Sequence, residues 1–406
     1  YAALVHDLWL RREIVTRAEA ILAEARTFDV DIVGAAVLER GQDSLAGLAD
    51  ALAGARDIMA EWINEDQQAR AELRRLYFSR AVIRSRIAQG KESIGAKYRD
   101  YFDWQEPALT APSHRILAMR RGEKEDLLNL SIGPPEAEAI EILEELFVKT
   151  DAEDSTQVKL AIHDSYKRLL SRSMETEIRL ATKERADMEA INVFSGNLRE
   201  LLLASPLGSK RTMGIDPGYR TGCKIVCLDR QGTVEHHDTI YPHTSENRRR
   251  EAAQKIKNYV TRFRIEAVAV GNGTAGRETE TFINNLDFDR SVDVILVDES
   301  GASIYSASET ARKEFPHLDL TVRGAISIGR RLMDPLSELV KIDPKSIGVG
   351  QYQHDVDPSG LKQSLDDIVV SCVNGVGVAV NRASVELLTY VSGLGPQLAN
   401  NIVAYR

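Results

Sequence analysis

The sequence predicts a multidomain, mainly α-helical protein with one α/β domain, on three observations. Residues 1–205 carry apolar positions at helical spacing and few strand-like runs, a helical region. Residues 206–340 hold short apolar runs punctuated by glycine and proline, the pattern of a buried mixed sheet. Residues 341–406 end in two short helical runs around Gly393-Leu394-Gly395, a helix-hairpin-helix module. The best boundary lies at 201–208, where Pro206 and Gly208 break the helical pattern.

The α/β domain is organised around Arg211-Thr-Met-Gly-Ile-Asp-Pro-Gly-Tyr-Arg-Thr-Gly-Cys-Lys-Ile-Val-Cys-Leu-Asp229. It reads as a strand over 212–216, a tight turn over Pro217-Gly218-Tyr219-Arg220 and a second strand over 222–229. Pro217 presets φ at the first corner and Gly218 tolerates positive φ at the second. The turn puts the carboxylate of Asp216 at the end of a strand that should be central. Most Asp-Pro-Gly tripeptides are ordinary turns, so the context decides. A third strand-like run follows at 233–241 and a helix at 245–264. Next come a buried strand over 266–270 stopped by Gly271, a helix over 276–286, a strand over 292–297 and a helix over 303–314. The order βββαβαβα is that of an RNase H-like (RuvC/YqgF) domain. In such a sheet Asp216, the loop Gly271-Asn-Gly-Thr-Ala275 and Asp298-Glu299 should converge at one edge.

Composition bounds the rest. Hydrophobic residues at 43% and charged residues at 28% of 406 residues are those of a globular protein with room for several domains. No apolar run reaches the roughly 20 residues of a membrane span, so no membrane partner is expected. Cys223, Cys227 and Cys372 form no framework and read as buried thiols in a reducing cytoplasm. A net charge of −9 argues against one continuous electrostatic clamp for nucleic acid, while leaving local basic patches open. The densest, Arg248-Arg-Arg250 with Lys255 and Lys257, reads first as a solvated helix face.

In chain order, helices are expected over 17–26, 44–64 and 67–89. The aromatic run Lys97-Tyr-Arg-Asp-Tyr-Phe-Asp-Trp104 could stack bases, but an inter-helix core is the plainer expectation. Ser113 is a candidate helix cap, and His114, Arg115, Arg120 and Arg121 suit either an anionic partner or ion pairs with Glu123 and Glu125. A helix over 137–148 and a long, interrupted helical stretch over 155–197 complete this half. Beyond the sheet, 323–333 is helical and Asp334-Pro335 ends it. His354 with Asp355 is too little for a metal site. An apolar helical stretch over 361–380 contains Gly375 and Gly377, small enough to admit a close neighbour. The final hairpin pairs helices over 385–391 and 396–405. Its glycines would let backbone N–H groups at a helix N-terminus face a phosphate, reading backbone rather than sequence. Gly393, Leu394, Gly395 and Asn400 are the candidate nucleic-acid contacts there, and Arg220 and Arg277 the candidates on the sheet domain.

These pieces resemble the bacterial Tex (transcription accessory) family over nearly all of the chain. The motifs are Lys97-Tyr-Arg-Asp-Tyr-Phe102, Ser113-His-Arg-Ile-Leu-Ala118, Met213-Gly-Ile-Asp-Pro-Gly-Tyr-Arg-Thr-Gly222 and Gly271-Asn-Gly-Thr-Ala275. Gly301-Ala-Ser-Ile-Tyr-Ser-Ala-Ser-Glu309, Arg323-Gly-Ala-Ile-Ser-Ile-Gly-Arg-Arg331 and the diagnostic Asp343-Pro-Lys-Ser-Ile-Gly-Val-Gly-Gln-Tyr-Gln-His-Asp355 complete the set. The resemblance implies a cytoplasmic, transcription-linked factor that binds RNA or DNA, or both, without sequence preference. Partners in the transcription or translation machinery are expected, and the layout is similar to that of a eukaryotic elongation factor that doubles as a histone chaperone. It also implies that an N-terminal portion, a second hairpin and an OB-fold RNA-binding domain lie outside this chain.

Two-metal hydrolysis needs three or four carboxylates around cations about 4 Å apart. Asp216 matches the first position and Glu299 the second, whereas the helix over 323–332 offers only Asp334 at its end. Arg323, Arg330 and Arg331 stand where such a site would want negative charge. The expectation is a degenerate, non-catalytic pocket with no cofactor. The alternatives are a Mg²⁺-dependent nuclease or resolvase acting through Asp216, Glu299 and Asp334, and a protein-docking scaffold.

Overall fold

The computed structural model describes residues 33–149 and 153–406, in two units divided after Ala186. The helix expected over 17–26 lies outside the described residues.

In the first unit, α1 (Val33–Glu65) and α2 (Gln67–Arg80) are separated by Asp66, whose carboxylate accepts from the Ala69 amide at 2.8 Å and caps α2. The helix expected over 67–89 stops at Arg80, and Val82–Ile87 is a strand, β1. Ile83 and Ser85 are buried while Arg84 and Arg86 are not, a period of two. Arg84 and Arg86 thus stand on one face of a strand. β2 (Asp103–Pro107) and β3 (Leu128–Gly133) flank β1 in an antiparallel sheet ordered β2–β1–β3. The aromatic run 97–104 therefore packs on this sheet rather than between helices. Tyr98 is buried with Leu127 and Leu128, against Ile87, Tyr101 and Phe102.

α3 (Ser113–Lys124) takes no side-chain cap from Ser113, because Pro112 occupies the cap position. The charges around it form separate pairs: Arg115 with Glu106 at 3.0 Å, Lys97 with Glu125 at 2.7 Å and Arg179 with Glu123 at 2.9 Å. α4 (Glu136–Phe147) and α5 (Glu153–Ser165) follow. A π-helical turn, Tyr166–Leu170, then leads into α6 (Ser171–Leu202). Its Tyr166 hydroxyl lies 3.2 Å from that of Tyr77.

The second unit contains the five-stranded sheet. Its strands are β4 (Thr212–Asp216), β5 (Cys223–Leu228), β6 (Val234–Ile240), β7 (Ala267–Gly271) and β8 (Asp293–Val297). The order is β6–β5–β4–β7–β8, with β4–β5 and β5–β6 antiparallel and β4–β7 and β7–β8 parallel. β4, β5 and β7 are covered on both faces, which is why they read as continuous apolar runs. Met213, Ile215, Ile225, Val268 and Val270 pack beneath α7 (Glu246–Arg262) and α8 (Gly276–Asn284), through Ala252, Ile256, Val260 and Phe282. Cys223 and Cys227 are buried free thiols in that layer, and burial pushes Cys227 up to about 12.

The helix expected over 303–314 is two: α9 (Ala302–Ala307) and α10 (Glu309–Glu314), broken at Ser308, whose hydroxyl caps α10. The opposite face of the sheet is covered mainly by α11 (Leu320–Met333). Ala325, Ile326 and Ile328 meet Val226, Leu228, Ala267 and Ala269 there. Here α11 comes to backbone distance of β4. A Cβ at Gly214 would clash with the Ala325 carbonyl oxygen and lie 2.9 Å from the Gly329 nitrogen. Beyond α11 come α12 (Pro335–Leu339), α13 (Pro358–Val376), α14 (Val385–Thr389) and α15 (Pro396–Tyr405). Gly375 and Gly377 admit no close neighbour: a Cβ at either meets nothing within 4 Å, and Gly377 ends α13 at φ +81°.

Gly214→Ala should lower the unfolding free energy by about 1–3 kcal/mol, the cost of forcing a methyl into a packed core. Gly196→Ala, at an exposed site on α6 with no atom within 4 Å, should raise it by about 0.5–1 kcal/mol. Urea melts of the two variants check both signs.

Candidate functional site

Three segments meet at the carboxyl edge of the sheet. Asp216 ends β4 and faces α11, where a Cβ on Gly324 would stand 3.0 Å from its Oδ2. Glu299 follows β8, and its carboxylate fills the space left by two glycines. A Cβ at Gly271 would collide with Glu299 Oε2, and one at Gly273 with Oε1. The Gly273 amide also donates to this carboxylate. Asn272 clamps the arrangement, accepting from the Glu299 amide at 3.1 Å and donating to Asp298 Oδ2 at 3.4 Å. Asp216, the 271–275 loop and Asp298-Glu299 thus come together.

The electrostatics of the pair follow from burial. Desolvation raises the Asp216 carboxyl to about 6, helped by the charge of Glu299 and opposed by Lys224. Burial also raises Glu299, against the Gly273 amide and Arg331. Glu299 Oε2 is buried without a hydrogen-bond partner. Lys224 sits opposite Asp216 in the β4–β5 register, and its ammonium donates to the Thr221 and Gly222 carbonyls.

Asp334 does not join the pair. α11 runs antiparallel to β4, with Gly324 at Asp216 and Gly329 at Gly214. Asp334 therefore lies about 15 Å further along the axis, at 1.5 Å per residue. It caps α12, accepting from the Ser337 amide at 3.0 Å. Two of the three arginines also differ from expectation. Arg323 donates to the Phe315 and Ser306 carbonyls, and Arg330 to the Gly232 carbonyl and Glu314. Only Arg331 acts on Glu299, from a buried position where its Nη1 holds the Asp298 and Ser300 carbonyls. Among the described residues no group of three or more His, Cys, Asp or Glu side chains could hold a metal ion. Asp298, the third carboxylate at this edge, is held by Asn272 and the Ser300 amide, and with the buried pair, an ammonium and the bare face of Gly324 the set does not fit a two-metal centre.

The hairpin is the second candidate. Ser384 caps α14 and Gly393 turns the chain at φ +84°. Gly395 occupies the cap position of α15, with Pro396 at the first turn. A Cβ at Gly393 or Gly395 would meet no atom within 4 Å, so the backbone there is open. Leu394 is half-buried; Asn400 is exposed and bonds back to the Pro396 carbonyl at 2.8 Å. No motif or spacing pointed to Asn374, which clips the turn from α13. Its Oδ1 accepts from the Ser392 amide at 3.0 Å and its Nδ2 donates to the Tyr390 carbonyl at 3.0 Å. Lys224 was missed likewise, although the hairpin register could have placed it. Arg220 and Arg277 are both exposed at the sheet edge, on the β4–β5 turn and at the start of α8. No helix among the described residues is long and apolar enough to cross a membrane.

Comparison with known proteins agrees with this layout. Residues 30–194 match the Tex central region-like family, residues 210–333 the Tex protein YqgF-like domain and residues 373–406 a helix-hairpin-helix motif. The chain is 44% identical over 373 residues to protein tex of Bordetella pertussis, covering 88% of this chain and 47% of that protein. It is 43% identical over 400 residues to the transcriptional accessory protein Tex of Neisseria gonorrhoeae, covering 96% and 52% respectively. Similarity extends to human S1 RNA-binding domain-containing protein 1, at 37% over 380 residues, 89% of this chain and 38% of that one. The chain spans about half the length of its bacterial relatives.

The raised Asp216 has a stability consequence. Its folded carboxyl keeps a proton to higher pH than an unfolded aspartate, so the fold loses relative stability as pH rises from about 4 through about 6. Asp216→Asn should therefore raise the melting temperature at pH 7.5, and the gain should shrink towards pH 4. Thermal melts of both proteins across that range check it.

Proposed function

We propose that this chain, which belongs to the Tex family, is the nucleic-acid-binding core of a transcription accessory factor and that its RNase H-like domain does not cut. The observation that carries the second half is the pairing of Asp216 with Gly324. The helix that would supply a further carboxylate offers a glycine instead, and the acids flanking it, Asp319 and Asp334, serve as the caps of α11 and α12. With Asp298 held by Asn272 and the Ser300 amide, and no acid on the facing side of the helix, Mg²⁺ has no cage that would align a water and a scissile phosphate. The sheet domain then serves as a binding and positioning body.

The hairpin supports the first half of the reading. Open backbone at Gly393 and Gly395, before the first turn of α15, suits a phosphate oxygen and carries no base preference. Arg220 and Arg277 add charge on the sheet domain. Relatives named as transcription accessory and S1 RNA-binding proteins fit the same class of ligand, RNA or DNA. The protein partners would then be those of the transcription machinery.

The test is to mix the chain with labelled single-stranded RNA, single-stranded DNA and duplex in Mg²⁺, and to read binding and product length together. Intact strands and binding that weakens about tenfold or more between roughly 50 and 200 mM salt are expected. Gly395→Ala adds a methyl that touches nothing in the fold and should weaken binding about tenfold. Cleavage lost in Asp216→Ala would establish the nuclease instead. Absence of binding to all three would leave a protein-docking role.

A further inference from the structure

The sheet domain carries a cationic surface beside the carboxylate pair, assembled from three segments. Tyr219, on the β4–β5 turn, is 47% exposed and stands edge-on to His243, with ring centroids 5.6 Å apart. The Tyr219 hydroxyl bonds to Glu278 on α8. His243, in the loop before α7, shares a 2.8 Å hydrogen bond with Thr279 of α8. The turn, that loop and the start of α8 are therefore fastened together.

Four exposed arginines stand on these segments: Arg220 on the turn, Arg248 and Arg249 at the start of α7, and Arg277 at the start of α8. Among the described residues none of the four closes a salt bridge. Arg248 lies over the Tyr241 ring at 4.9 Å and Arg249 over the Phe282 ring at 5.5 Å. Ring contact of this kind holds a guanidinium in place and leaves its N–H groups for a ligand. The nearby acids are engaged elsewhere: Glu278 with Tyr219, Glu246 with Arg250 at 3.6 Å and Glu251 with Lys255 at 3.7 Å. In a chain of net charge −9, four exposed arginines that close no salt bridge, with only Glu278 acting on Arg277, are a local device for an anionic partner.

We propose that this surface binds single-stranded nucleic acid, with Arg220, Arg249 and Arg277 on phosphates and the Tyr219 ring beneath an unpaired base. The site rests on the reading of the chain as a nucleic-acid binder, but it stands on the sheet domain rather than the hairpin. Aromatic rings interleaved with arginines are the chemistry that holds unpaired strands, since every base has a face to stack. A duplex has no free base to give Tyr219. An acidic protein would use the arginines and ignore the ring.

The experiment measures affinity of the whole chain for a short labelled oligouridylate across a salt series, by fluorescence anisotropy. Arg220→Gln/Arg249→Gln/Arg277→Gln should flatten the slope of log K against log salt by about 2, at about 0.7 for each phosphate no longer neutralised. Tyr219→Ala should weaken binding about tenfold, while Tyr219→Phe, which keeps the ring and drops the Glu278 bond, should bind as the parent does. An unchanged slope and affinity in the triple variant, with binding abolished in Gly395→Ala, would overturn this site and leave the hairpin reading standing. Equal affinity for a duplex, or a Tyr219→Ala variant that binds like the parent, would overturn the single-strand assignment. A parent chain that binds no oligonucleotide would overturn both readings.

Discussion

The sheet domain depends on the backbone-distance contact between α11 and β4. Gly214 on the strand and Gly329 on the helix interlock, and Gly324 extends the contact to Asp216. The sheet face beneath α11 is made of small residues along its middle, Gly214, Ala267 and Ala269, whereas the face beneath α7 carries Met213, Ile215, Val268 and Val270. A helix resting on small residues approaches closely, as packing to the density of an organic crystal requires. The approach has a chemical consequence. Any side chain at 324 would press on the Asp216 carboxyl, so the packing that seats the helix also keeps a further acid away from the pocket.

The charges around that pocket are used to fasten loops. Lys224 holds the two carbonyls of its own turn, and Arg331 holds the carbonyls of Asp298 and Ser300. Burial lowers the Arg331 guanidinium's hold on its proton, against the pull of Glu338, Asp298 and Glu299. Both cations therefore fix the backbone that presents the carboxyls and compensate them only partly. The result is a pair whose protonation is set mainly by desolvation, a poor starting point for binding two divalent ions and a reasonable one for a rigid, weakly charged recess.

The α/β domain was legible because strands buried on both faces leave an unmistakable record. Glu266-Ala-Val-Ala-Val270 and Val292-Asp-Val-Ile-Leu-Val297 have no helical reading of comparable length, and their order fixes which strand ends share an edge. The β1–β3 sheet was missed for the opposite reason. Val82-Ile-Arg-Ser-Arg-Ile87 is short, lies directly after a helix and carries arginines on one face, so it blends into the charged helical pattern before it. At the candidate site, residues next to a strand end could be placed and residues on a long helix could not. Asp334 reads as near Asp216 only until the direction of α11 is known. Arg323 and Arg330 read as free charge only until the Ser306, Phe315 and Gly232 carbonyls are found beside them. Sequence order carries neighbours along the chain, whereas these partners are neighbours in space.

Charge is distributed in the same local way, which reconciles an acidic chain with an anionic ligand. Beyond roughly 8–10 Å at physiological ionic strength, exposed charges barely act on one another. The excess of acids across 406 residues is therefore largely invisible to a strand docked on one edge of one sheet. What that strand would meet is the neighbourhood of Tyr219, where Glu278 is bonded to the tyrosine and two of the guanidiniums, those of Arg248 and Arg249, rest on rings. The proposed hairpin site would need no net charge at all, since its donors would be backbone amides at an open helix start. An acidic protein built this way can bind a polyanion at selected places while repelling it elsewhere, and the repulsion then sharpens where on the surface the strand settles.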